Sequence, residues 1–382
     1  MNNSFTLITL YIAGFVGYSS FSLLLPVMPL YATELGAPLS QVGLIVAIYS
    51  YVTALALLPF GMLCDRLGRR NFLVAGLIIF VLAPLLYPWA ANVQQLILVR
   101  AIHGLASATF IPASVALVVD TAPASRRGEA LGWYTASTQL GLMAGPITGG
   151  FILEYLGFDA VFYSCSVISL LGLVFVLFRL AAISQKPVAG ANEGSSWGWI
   201  KQRFVFAGLL TPLFIAIGSG TIATYIPIYG WSFSITEIGA GLIITALYAS
   251  SALLRAPAGK LSDSIGRKPV ILSGLVLCAV ATAFISQFHS LSQLIIIAVF
   301  FGVGMGIAMP PSFALVADLS PAGMRGLAMG MTSCCLQFGL AIGATVMGIV
   351  AGASGFEVMF LACALSLTFG LTVIFGLMQG RR

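Results

Sequence analysis

Long apolar stretches alternate with short polar or Gly/Pro-rich breaks along the whole chain. A hydrocarbon core of roughly 30 Å needs about 20 apolar residues per helical crossing, and the breaks divide the sequence into twelve such runs. Six lie at about 5–30, 41–60, 72–90, 93–118, 129–153 and from there to Arg179; six more lie near 204–228, 237–257, 269–287, 292–316, 327–351 and 357–378. The first run has no basic flank and continues past Pro26, so it is expected to be a retained helix rather than a cleaved signal.

The chain also repeats itself. GMLCDRLGRRNFL at 61–73 returns as GKLSDSIGRKPVI at 259–271, a displacement of 198 residues. The same displacement pairs Pro29 with Pro227, Gly104 with Gly302, Pro112 with Pro310, Asp120 with Asp318, Arg127 with Arg325, Gln139 with Gln337 and Phe158 with Phe356. These matches predict one six-helix unit written twice: a bundle at 1–181, a linker at 182–203 and a second bundle at 204–382.

Composition agrees with a bilayer environment. The chain is 59% hydrophobic and 7% charged, against about 25% charged in soluble domains. Fifteen of the seventeen Lys and Arg residues fall on one side if both termini are cytoplasmic; the other two, Arg100 and Arg255, lie inside or at the edge of helices. That asymmetry predicts a multi-pass protein with both termini cytoplasmic and makes the net charge of +6 a topological signal rather than a nucleic-acid footprint; the membrane expected is a prokaryotic inner membrane. The six cysteines have neither zinc nor disulfide spacing, and there are only two histidines. HExxH, GxSxG and Walker patterns are missing. No metal, cofactor or enzymatic activity is expected.

Two duplicated six-helix halves with a charged motif after the second and eighth runs resemble the major facilitator superfamily over essentially the whole chain. The motif GxLxDRxGRR is matched by Gly61, Leu63, Asp65, Arg66, Gly68, Arg69 and Arg70. In run 5, Gly132, Gly141, Gly145, Pro146, Gly149 and Gly150 match the pattern G-x8-G-x3-GP-x2-GG of its twelve-helix drug:proton antiporters. Arg100 to Gly104 (RAIHG) is similar to the RxxxG signature of proton-coupled members, and LPVMP at the end of run 1 to another exporter feature. The resemblance implies an all-α fold of twelve transmembrane helices in two pseudo-symmetric six-helix bundles. It also implies a monomeric secondary transporter exchanging small lipophilic compounds for protons by alternating access. Two alternatives on the same fold are a proton-coupled nutrient symporter and a lipid or glycolipid translocase.

The resemblance further implies a conformational latch. Asp65 would face the N-terminus of helix 11, where unsatisfied N–H groups and the helix dipole favour an anion, and Arg69 would pair with Asp120. In the second copy, Asp263, Arg267 and Asp318 keep the pattern while Ser264 replaces an arginine. Gly141, Gly145 and Gly149 recur every fourth residue, so they share a helix face that a neighbour can approach closely.

Arg100 is costly inside a bilayer unless paired or wetted, and two roles are open to it: a functional charge, or an arginine snorkelling to the outer surface. His103 follows three residues later on the same face, as a proton carrier or a hydrogen-bonding core histidine. No Asp or Glu lies mid-helix. This departure from several antiporters leaves Glu34, Glu129 and Asp120 as carriers at helix ends, and favours a neutral lipophile or one whose anionic group is drawn to Arg100. By analogy, a midplane pocket would be lined by Tyr18, Phe21, Tyr49, Phe110, Gln139, Tyr225, Tyr248 and Gln337.

Overall fold

The computed structural model describes residues 3–180, 197–321 and 324–379. The first crossing, α1, is broken into Asn3–Leu23 and Val27–Glu34. Pro26 stands at the break, and Pro29 lies in the first turn of the second piece, where a missing N–H removes no helical hydrogen bond. Then follow α2 (Leu39–Leu67), α3 (Arg69–Leu86) and α4 (Val93–Thr121). Arg127–Leu180 is two helices, α5 (127–156) and α6 (158–180), that meet at Gly157 with φ 81°.

The second half has α7 (Arg203–Trp231), α8 (Glu237–Ile265), α9 (Arg267–Phe284) and α10 (Leu291–Leu319). Arg325–Leu377 divides at Gly355, φ 83°, into α11 (325–354) and α12 (356–377). Each double segment would be about 80 Å long as one straight helix at 1.5 Å per residue. Each therefore makes two crossings, giving twelve among the described residues, as expected.

The helices overrun the apolar runs. The charged motif, expected as a loop, is helical to Leu67 and its repeat to Ile265, and one glycine turns the chain in each: Gly68 at φ 101° and Gly266 at φ 91°. Glycine adopts that conformation without a Cβ clash, so nothing longer is needed. The loop expected around Glu154 and Asp159 likewise shrinks to Gly157. Of the expected linker, 182–196 lies outside the described residues; Trp197–Lys201 forms a short 3₁₀ turn, and Trp199 is buried with Val205, Leu209, Val316 and Ala328.

Inside each half the helices meet through glycines that obey the same 198-residue displacement. A Cβ at Gly141 would sit 2.6 Å from the Phe15 carbonyl oxygen, and one at Gly145 or Gly149 would strike Ser22 or Leu23, so this face of α5 lies directly on α1. Gly339 and Gly343 bring α11 onto Leu213 and Ile217 of α7 in the same way. Gly104 seats α4 on Tyr49 of α2, and Gly302 seats α10 on Leu247 of α8. Lipid offers no hydrophobic drive between helices, so close backbone approach through small residues is what holds them. Exposed Leu55, Leu171, Leu253 and Phe369 form part of the lipid-facing surface.

Gly145→Leu should separate α1 from α5 and lower stability by about 1–3 kcal/mol. Thermal unfolding in nanodiscs measures this. Gly132→Ala, where an added Cβ meets nothing within 4 Å, should leave the melting temperature unchanged or slightly higher.

Candidate functional site

The two halves are joined most closely at the ends of the helices away from the charged motifs, here the far side. Gly43 of α2 lies against the Ala344 carbonyl of α11, and Gly348 of α11 against Leu39 of α2. The symmetry mates repeat this: Gly241 of α8 lies against the Pro146 carbonyl of α5, and Gly150 of α5 against Glu237 of α8. Side-chain bonds reinforce the seal. Thr245 Oγ1 donates to the Met143 carbonyl at 3.0 Å and the Ile238 N–H donates to Glu154 Oε2 at 3.0 Å across the interface, while Tyr225 Oη, which lies against Gly43, donates to the Ala344 carbonyl at 2.6 Å within the second half. Glu154 is thus a carboxylate of one half at the N-terminus of a helix of the other, the favourable end of the helix dipole. Leu25, Leu39, Leu142 and Met143 pack on the apolar core of the second half beside it.

Toward the motif side the two helix pairs behave differently. α2 and α11 stay together: Tyr51 and Phe338 have ring centroids 6.4 Å apart, Cys334 Sγ donates to the Ala54 carbonyl, and a Cβ at Gly330 would lie 3.0 Å from Leu58. On α5, the face toward α8 runs Gly150, Pro146, Met143, Gln139, Ala136, Gly132; on α8 it runs Glu237, Gly241, Thr245, Tyr248, Ala252, Arg255, Gly259. A Cβ at Gly132 or Gly259 would meet nothing within 4 Å. These two helices part at the motif side. Gly132, expected with the packing glycines of α5, packs against nothing here.

The charged motif brings Arg69 to two carboxylates, Asp65 at 2.8 Å and Asp120, while Arg267 reaches Asp318 at 2.6 Å and Asp263 at 3.7 Å. Asp65 has its ion pair inside its own half, with Arg69.

Arg100 and His103 lie together in the first half, both buried. Arg100 Nε and an Nη donate to the carbonyls of Ile45 and Val46 at 3.3 and 3.1 Å, and its guanidinium carbon is 4.9 Å from the Tyr49 ring centroid. This enclosure rules out the snorkelling role and also the expected attraction of a substrate anion in this conformation, because the guanidinium is turned into α2. His103 Nδ1 is 2.8 Å from Tyr87 Oη, and Tyr49, Phe80 and Tyr87 surround its ring. Glu34 and Glu129 are exposed at helix ends.

The eight pocket candidates divide. Phe110 is enclosed by Phe80, Gly17 and Gly76 in the first core, and Tyr225 belongs to the far-side seal. Both depart from the expected lining because their helix faces turn toward a neighbour. Tyr49 is fixed by Ser107, Phe21 and His103. Tyr18, Phe21 and Gln139 keep accessible surface, whereas Tyr248 and Gln337 are nearly buried. Gln139 Oε1 is itself buried and lacks a hydrogen-bond partner. Sequence reasoning missed Gly43, Gly241, Gly348 and Glu154; applying the 198-residue displacement to every glycine would have paired Gly43 with Gly241 and Gly150 with Gly348.

Two six-helix bundles closed over one side of a shared polar and aromatic face form a membrane transporter. The family model for the Major Facilitator Superfamily matches residues 10–236 and 208–381, and the chain belongs to that superfamily. It is 27% identical to multidrug resistance protein MdtG of Klebsiella pneumoniae over 92% of this chain and 88% of that protein. It is 26% identical to the multi-drug resistance efflux pump PmrA of Streptococcus pneumoniae serotype 4 over 96% and 94%. In fold it is similar to a bacterial homologue of the human lysosomal transporter Spinster in an inward-facing and occupied conformation, with a TM-score of 0.84, 14% identity and coverage of 98% and 96%.

Gly241→Leu should force α8 off Pro146 and open the far side. Spin labels on the α1–α2 and α7–α8 connections should report a longer distance, whereas the same change at Gly259 should leave the distribution unmoved.

Proposed function

We propose that this protein exports small lipophilic compounds, neutral or anionic, in exchange for protons. The observation that carries the reading is the asymmetry of the interface between halves. The far side is sealed by glycine and carbonyl contacts, while at the motif side a Cβ at Gly132 of α5 or Gly259 of α8 would meet nothing within 4 Å, and Tyr18, Phe21 and Gln139 keep accessible surface. The concentration of Lys and Arg makes the motif side cytoplasmic, so this is an inward-facing state ready to load from inside. The names of MdtG and PmrA support drug efflux.

Transport requires the reverse state, and the motif supplies a means of reaching it. As the cytoplasmic ends close, Asp65 approaches the N-terminus of α11 while Arg66, Gly68, Arg69 and Arg70 hold the motif's shape; Asp263, Arg267 and Asp318 act as the second copy. On the far side Glu154 must then leave Ile238. Glu34, Glu129 and the Arg100–His103 pair are the candidates for coupling this exchange to protons.

Proteoliposomes of fixed orientation, given a pH gradient and a panel of neutral, anionic and cationic lipophiles, test the reading. Substrate-dependent collapse of the gradient is expected for the neutral and anionic compounds. Substrate movement without proton flux would indicate a facilitator or lipid translocase instead. A Met143→Cys/Thr245→Cys pair, in a background without the six native cysteines, should cross-link the far side and abolish flux, with activity returning on reduction. Flux that survives complete cross-linking would overturn alternating access through this seal.

A further inference from the structure

Arg255, on α8, differs from Arg100 in almost every respect. It lies ten residues from the helix end at Ile265, or about 15 Å along the axis at 1.5 Å per residue. Leu253, two positions earlier and so on the other side of the helix, is 72% exposed to lipid. Arg255 therefore faces inward, where its electrostatic neighbours are Tyr18 of α1 and Tyr248, two turns away on its own helix face. No carboxylate among the described residues pairs with it, and its Nε is buried without a hydrogen-bond partner. Although it is surrounded by protein, part of the side chain remains accessible, as expected of a residue bordering an internal opening.

The interface register shows what that opening adjoins. Gly150 on Glu237, Pro146 on Gly241 and Met143 on Thr245 set an antiparallel alignment of α5 and α8. Continued toward the motif side, it brings Gln139 to the level of Tyr248 and Gly132 to the level of Arg255. Gln139 contributes an unpartnered acceptor, and Gly132 faces empty space. Within the first half the position equivalent to Arg255 is Leu57, a buried apolar residue. The arginine is therefore not part of the scaffold that the two halves share.

A membrane-embedded guanidinium without a counter-charge is expensive to keep, and its planar fork matches a carboxylate in two-pronged geometry. We propose that Arg255 is the anion-recognising residue of the transport site, pairing with the acidic group of a lipophilic carboxylate whose apolar body lies along Tyr18 and Phe21. Gln139 then accepts a hydrogen bond from any donor on that body. This inference rests on the exporter reading and narrows its substrate to organic anions.

Equilibrium binding to the full chain in nanodiscs, corrected with empty nanodiscs, tests it using pyrenebutyrate, pyrenebutanol and pyrenebutylamine. The wild-type protein should bind the carboxylate roughly tenfold or more tighter than the alcohol, as a charge-assisted hydrogen bond implies, and the amine most weakly. R255Q should reduce carboxylate affinity to near that of the alcohol, while R255K should retain part of the preference. Equal affinities across the series in the wild type, or a carboxylate preference that survives in R255Q, would overturn the assignment. Equal affinities in the wild type overturn the assignment without any variant, and if R255Q does not fold, R255K carries the assignment: a preference unchanged in R255K would overturn it and a reduced one would support it. Because binding is read without transport, absence of proton flux in proteoliposomes would remove the exporter reading and leave this one testable alone.

Discussion

The conformation depends on backbone meeting backbone across the interface between halves. Gly43 against Ala344 and Gly241 against Pro146 are the same contact written twice, and Gly348 on Leu39 and Gly150 on Glu237 complete each pair. A membrane interior gives two helices little reason to associate beyond the quality of their packing. Side-chain-free approach therefore joins the halves firmly where it occurs, and its loss along α5 and α8 lets them separate.

The internal repeat divides the molecule into shared scaffold and added chemistry. Glycines at 104 and 302, at 141 and 339, and at 145 and 343 hold equivalent helix pairs, and Arg69–Asp120 is matched by Arg267–Asp318. The halves differ where polar chemistry was added. Arg100 corresponds to Ala298 in the repeat, His103 to Phe301, Arg255 to Leu57, and Glu154 to Gly352. A symmetric carrier of identical halves would offer a ligand no preferred orientation; these four departures supply one.

How much of this was legible in the sequence follows from what periodicity can report. Apolar runs gave the twelve crossings, and the every-fourth-residue spacing correctly put Gly141, Gly145 and Gly149 on one face. Spacing along a helix identifies a face but not the neighbour it meets, so nothing local marked Gly43 or Gly241 as the seal, or separated Phe110 in the core from Tyr18 at the opening. The charged motif was misread as a loop because polarity signals departure from the membrane rather than departure from helical geometry. Gly68 alone provides the turn.

The two intramembrane arginines show why sequence could not rank them. Arg100 sits near the start of a long apolar run with a histidine on its face, the more suggestive setting, whereas Arg255 falls at the edge of its run. Folding reverses the order. Arg100 finds two backbone carbonyls and an aromatic ring, which offset its desolvation and leave it turned away from the opening. Among the described residues, Arg255 finds two tyrosines and no acid. A buried charge satisfied within the protein is a structural element, and one left unsatisfied beside an opening retains its attraction for a ligand. The same residue type thus serves two ends, decided by which carbonyls and carboxylates the neighbouring helices present.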